Sequence, residues 1–96
     1  MTIDEALQKI ANHYGFASQA NMLCEEAAEY TVALNKLRRG NAESYSNVKE
    51  ELADVLVIAL QLRKLLGEKD IDQIIKDKVV RQLKRILDEG EENGKP

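Results

Sequence analysis

Tryptophan is absent from this chain, and cysteine, proline and histidine each occur once. A lone cysteine, Cys24, cannot close an internal disulfide, which fits a reducing compartment. It lies on the side of its helix away from the apolar stripe with no histidine beside it, the setting of an inert thiol rather than a nucleophile. The lone histidine, His13, falls in the last turn of the first predicted helix, where a partial positive charge suits the helix dipole, so it reads as a cap rather than a base. A surplus of positive charge is missing too: 14 Lys and Arg stand against 17 Asp and Glu, for a formal charge of -3. That leaves no basic footprint for nucleic acid. No apolar run approaches the roughly 20 residues of a membrane span, and the first residues lack the charged-then-apolar pattern of a leader. No membrane partner and a cytoplasmic location are expected.

What remains is helical. Hydrophobic content of 44% with 32% charged residues describes a soluble chain, and 96 residues make one domain with a modest core. Thr2-Ile3-Asp4-Glu5 is a capping box that opens a first helix, closed by Gly15. Ser18 is the candidate N-cap of a second helix, stopped by Gly40. Asn47-Val48-Lys49-Glu50 marks the start of a third, which ends before Gly67, and Asp70-Ile71-Asp72-Gln73 starts a fourth that continues to Glu89 before Gly90. The predicted class is all-α, with helices near residues 2–13, 18–39, 46–66 and 70–89 in a single domain over 1–90. Residues 91–96, charged and bearing Gly and Pro, are expected to be disordered.

Two stretches depart from ordinary amphipathic patterning: Glu25-Glu26-Ala27-Ala28-Glu29 and Glu50-Glu51-Leu52-Ala53-Asp54. With residues about 100° apart around a helix, Leu23, Tyr30, Leu34 and Leu37 flank Glu26 at about 20–80° on one side, with Ala33 and Met22 on the other. Glu51 sits between Val48, Val55, Leu62 and Leu66 on one side and Ile58 and Leu65 on the other. Both acids therefore face a core, with Glu29 and Asp54 on the edge of the same stripes. A buried, unpaired carboxylate costs several kcal/mol, so a core-facing Glu must be protonated, paired or bound to a cation. If the two helices pack face to face, four acids converge, and they cannot all stay ionised without a cation among them. Oxygen-only ligands suit Mg²⁺ or Mn²⁺; softer metals call for Cys or His.

The third helix is apolar nearly all round, since Leu56, Val57 and Leu60 point away from its core stripe. A helix buried on both sides lines a subunit interface, so a homo-oligomer is expected, a dimer or a pair of dimers. On the fourth helix Lys78, Arg81 and Arg85 line the margin of the apolar face. Two roles are open to them: ion pairs with the acids, or charge for a polyphosphate.

The order E-E-x-x-E, a gap, then E-E-x-x-D followed by an aliphatic run resembles the MazG-type, all-α nucleoside triphosphate pyrophosphohydrolases. The flanks agree: Tyr14-Gly15-Phe16 and Gln19 before the first cluster, Lys36 and Arg38-Arg39-Gly40 after it, and Lys78, Arg81, Gln82 and Arg85 near the end. The resemblance implies an antiparallel four-helix bundle that oligomerises. It also implies Mg²⁺-dependent cleavage of a nucleoside triphosphate between its α and β phosphates, giving monophosphate and pyrophosphate. By the same resemblance Glu26, Glu29, Glu51 and Asp54 are metal ligands and catalytic acids, with Glu25 and Glu50 as outer acids. Lys78, Arg81 and Arg85, with Lys36 or Arg39, balance the charge of pyrophosphate.

One branch fits less well. Phosphoribosyl-ATP pyrophosphohydrolase shows a Tyr-His or similar pair soon after the final Asp, where this chain reads Asp54-Val55-Leu56-Val57-Ile58. For stacking a base the only aromatics are Tyr14, Phe16, Tyr30 and Tyr45; Tyr30 lies in the core arc, which leaves Phe16 or Tyr45 favoured. The competing expectation is a non-catalytic helical oligomer, a binding or regulatory module whose acids are held in ion pairs, because fold similarity does not guarantee activity.

Overall fold

A helix needs its first N–H groups satisfied before it can extend, and Thr2 does this at the start of the chain. The Glu5 amide donates to Thr2 Oγ1 at 3.1 Å, and the Thr2 amide donates to Glu5 Oε1 at 3.4 Å, closing the expected capping box. The computed structural model describes residues 1–94, with side chains through residue 90. It contains three α-helices, α1 (Ile3–Arg38), α2 (Tyr45–Leu66) and α3 (Glu68–Gly94), with a short 3-10 turn at Ala42–Ser44.

Four helices were expected, and the difference lies at Gly15. This residue takes φ 81° and ψ 171°, inside what is otherwise one 36-residue helix. That backbone region is open essentially to glycine alone, so the chain breaks its hydrogen-bond ladder there and resumes at once. The expected first and second helices thus meet at a kink within α1. Ser18 lies inside α1 rather than at its start.

The other boundaries shift by two residues or fewer, apart from the end of α3. Ala42–Ser44 leads directly into α2, which therefore begins at Tyr45 where residue 46 was expected. Lys49 Nζ sits 4.5 Å from the centre of the Tyr45 ring, a cation–π contact that holds this first turn. Gly67, at φ 110°, separates α2 from α3, whose first turn carries Glu68 and Asp70 at the positive end of the dipole. Gly90 does not stop α3, which runs on to Gly94. Of the tail expected to be disordered over residues 91–96, the last two lie outside the described residues.

The chain divides into two compact units, Met1–Leu66 and Gly67–Pro96. In the first, α1 packs on α2, and Lys64 Nζ meets Asp4 Oδ1 at 2.6 Å, tying the first turn of α1 to the last turns of α2. The core between them is small: Ala11, Ala33 and Leu62 are its buried apolar residues. Two glutamines, Gln19 and Gln61, are as deeply buried, each with 3% of its surface exposed. Leu56, Val57 and Leu60 lie exposed on the outer side of α2, as their angles around the helix predict. The second unit is one amphipathic helix with Ile74, Ile75, Val79 and Leu83 on its apolar side. Among the described residues no helix is long and apolar enough to cross a membrane.

Candidate metal centre

Glu26 and Glu51 are carried toward each other by the packing of α1 on α2. Their position within apolar stripes makes this unavoidable: burying Leu23 and Ala33 on one helix, and Leu62 on the other, brings the acids along. Each is half-buried, and each has one oxygen, Oε2, that is fully buried without a hydrogen-bond partner. Asp54, exposed and one turn beyond Glu51, completes a group of three whose ligand atoms all lie within 4.8 Å of one another.

Like charges this close oppose each other's ionisation. Partial desolvation, then the negative charges of Glu29, Asp54, Glu51 and Glu25, push the Glu26 carboxyl above its ordinary value. Glu51 is raised in the same way, first by desolvation, then by Glu29 and Asp54, and by a hydrogen bond with Glu29 that favours its protonated form. A cation at the junction of the three oxygens would offset the repulsion that contributes to both shifts. The donor set fits a hard divalent ion. It is all carboxylate oxygen, it contains two buried oxygens lacking partners, and the exposed Asp54 leaves one side open to water and substrate. Ion pairing, the competing expectation, leaves these two oxygens unexplained, because neither has a partner among the described residues.

The remaining predicted site residues separate into two groups. Glu29 is exposed and stands outside the group of three, although it interacts with both Glu26 and Glu51. Glu25 and Glu50 are exposed at the margin, as their angles predict. Lys36 is exposed near the end of α1. Lys78, Arg81 and Arg85 belong to the second unit, where their i, i+3, i+7 spacing brings them together with Gln82 around a shallow depression on α3.

One feature was not predicted. A pocket of about 290 Å³ opens between α1 and α2, lined by Ile10, Tyr14, Ser18, Gln19, Met22, Ile58 and Gln61. Its signal in the sequence was weak but present. Gln19 falls about 20° from Glu26 around α1, inside the apolar stripe, where a carboxamide is as out of place as a carboxylate. Of the aromatics, Tyr14 lines the pocket, its ring edge-on to His13 at 4.7 Å, while Phe16 and Tyr45 are exposed elsewhere.

No curated protein and no solved structure matches the chain. The model of the MazG nucleotide pyrophosphohydrolase domain, in contrast, matches residues 15–87. That span begins at the Gly15 break and takes in both acid pairs, both buried glutamines and the basic face of α3. With Glu26, Glu51 and Asp54 converging between packed helices and most of the sequence matched, the chain belongs to the family of the MazG nucleotide pyrophosphohydrolase domain.

Proposed function

We propose that the protein is a Mg²⁺-dependent pyrophosphohydrolase that cleaves a nucleoside triphosphate, ribo or deoxyribo, to the monophosphate and pyrophosphate. The observation that carries this reading is the convergence of Glu26, Glu51 and Asp54 within 4.8 Å, with a buried oxygen lacking a partner on each of the two glutamates. Family membership supports the reaction class.

Glu26, Glu51 and Asp54, with Glu29 beside them, would hold Mg²⁺, or Mn²⁺ in its place. An ion held there would supply positive charge against phosphate oxygens and lower the pKa of a bound water. The protein's own part is to hold three acids at one point, with a fourth beside them, and to accept a proton. Glu29 is the acid assigned that transfer: it stands outside the group of three and is exposed to solvent, so it is free to accept a proton from the attacking water. Lys78, Arg81 and Arg85, with Lys36, are assigned the charge that develops on pyrophosphate as it leaves. The exposed Leu56, Val57 and Leu60 support a homo-oligomer built through α2, a dimer or a pair of dimers. An antiparallel four-helix arrangement, counting the halves of α1 on either side of Gly15 separately, belongs to the same proposal.

The test is product analysis. The purified protein is incubated with Mg²⁺ and each common ribo- and deoxyribonucleoside triphosphate, with Glu51→Gln as control. Monophosphate and pyrophosphate in equal amounts, lost in the control, are expected. No turnover, together with no Mg²⁺-dependent rise in melting temperature, would instead favour the non-catalytic helical oligomer.

A further inference from the structure

Buried carboxamides without partners are as costly as they are rare, because each carries an acceptor and two donors that water would otherwise satisfy. Gln19 and Gln61 are each 97% buried by their 3% exposure, each has an Oε1 without a partner, and both line the same pocket. They come from different helices and meet at one cavity. Packing alone gives no reason for two amides there, since a Leu or Met at either position would fill the space without an orphaned oxygen.

The rest of the lining has a matching character. Ile10, Met22 and Ile58 offer apolar surface, and Tyr14 places an aromatic ring at the rim, next to the Gly15 break. Flat apolar walls with two carboxamides suit a planar heterocycle whose edge alternates donors and acceptors. The pocket also lies on the same seam as the acids. Met22 and Gln19 precede Glu26 by one and two turns of α1, and Ile58 and Gln61 follow Asp54 by one and two turns of α2. At 1.5 Å per residue, Met22 and Ile58 lie about 6 Å, and Gln19 and Gln61 about 10 Å, along the helices from Glu26 and Asp54. A ligand with charge at one end and a heterocycle at the other would span the two.

We infer that this pocket receives the base of the nucleotide, with Gln19 and Gln61 hydrogen-bonding its edge and Tyr14 covering its face. The inference rests on the nucleotide reading above and names the residues that set base preference.

Side-chain amide resonances of Gln19 and Gln61, followed in the full-length protein without metal, provide a test independent of turnover. Four nucleoside monophosphates are titrated in turn, with ribose 5-phosphate as the probe that lacks a base. Saturable shifts of both amides with at least one nucleotide, and none with ribose 5-phosphate, are expected. Gln61→Met should weaken that nucleotide about tenfold, the scale of one lost hydrogen bond. Its backbone spectrum and melting temperature should be kept or improved, because the variant removes an orphaned acceptor. Equal shifts with ribose 5-phosphate, or no shift with any nucleotide at millimolar concentration, would overturn the assignment even if the enzyme turns over triphosphates. Shifts without any turnover would leave the pocket assignment standing and count against the proposed reaction alone.

Discussion

Two places along the α1–α2 seam hold buried oxygens without partners, and they differ in one respect. At the Glu26–Glu51–Asp54 junction the orphans are carboxylates, and at the Gln19–Gln61 pocket they are carboxamides. At the first, desolvation and then the neighbouring negative charges raise the Glu26 and Glu51 carboxyls, while the second carries no charge to be raised. The same defect therefore calls for different remedies. A cluster of anions is relieved by a cation, and a pair of neutral amides by a ligand with its own donors and acceptors. Two unlike orphan sites a turn or two apart on one seam are what a molecule with an anionic tail and a heterocyclic head requires.

If the two ends are distinct in kind, their variants must fail in distinct ways. Glu51→Gln should show the largest effect, a loss of turnover exceeding the 10–100-fold typical of outer partners of a metal site. Its metal-free melting temperature should rise, since one repelling charge is gone, and its Mg²⁺-dependent rise should vanish; thermal melts with and without Mg²⁺ check both. A fall in metal-free stability would mean that Glu51 had been paired after all. Glu29→Gln should cost less than Glu51→Gln in turnover and retain a Mg²⁺-dependent rise, because Glu29 stands outside the group of three.

Gln61→Met should leave the Mg²⁺ response of melting intact while narrowing the spread of kcat/KM among bases, by about tenfold. A lost Mg²⁺ response in this variant would erase the distinction between the two ends. Gly15→Ala places a side chain at φ 81° with nothing within 4 Å of its Cβ, so the penalty is backbone strain alone, about 1–3 kcal/mol. At about 4–8 °C per kcal/mol for a domain this size, a melt resolves it easily.

The smallest effect is that of pH. The folded protein holds protons on Glu26 and Glu51 more tightly than the unfolded chain, where the ordinary value is 4.5. Their contribution to stability is thus greatest below that value and declines as pH rises from 4.5 through the raised folded values. Mg²⁺ competes with those protons and should offset the decline. Melting curves from pH 4 to 8, in chelator and in Mg²⁺, should diverge as pH rises; parallel curves would contradict a cation at this junction.

The acid cluster was legible in the sequence because a Glu inside an apolar stripe violates the helical pattern, and two violations at matched angles demand a common cause. The glutamine pocket was not, although Gln19 broke the same pattern. Glutamine is at home on helix surfaces, and Gln61, near the edge of its stripe, reads as solvent-facing until α1 covers it. The Gly15 break was legible as a stop, but not the immediate resumption of helix after it. A glycine that ends one helix and a glycine that bends a longer one look alike until the φ and ψ on either side are known. The extension of α3 past Gly90 has the same origin, since glycine permits a stop without imposing one.

The sequence alone determined the all-helical class, the capping box at Thr2 and the inward position of Glu26 and Glu51. All three follow from local spacing and side-chain chemistry, which act within a few turns of one helix. Only the tertiary structure decided that Asp54 rather than Glu29 completes the group of three, and that Gln19 and Gln61 share one cavity. Those outcomes depend on how α1 is set against α2, which is fixed by packing between residues far apart in the chain.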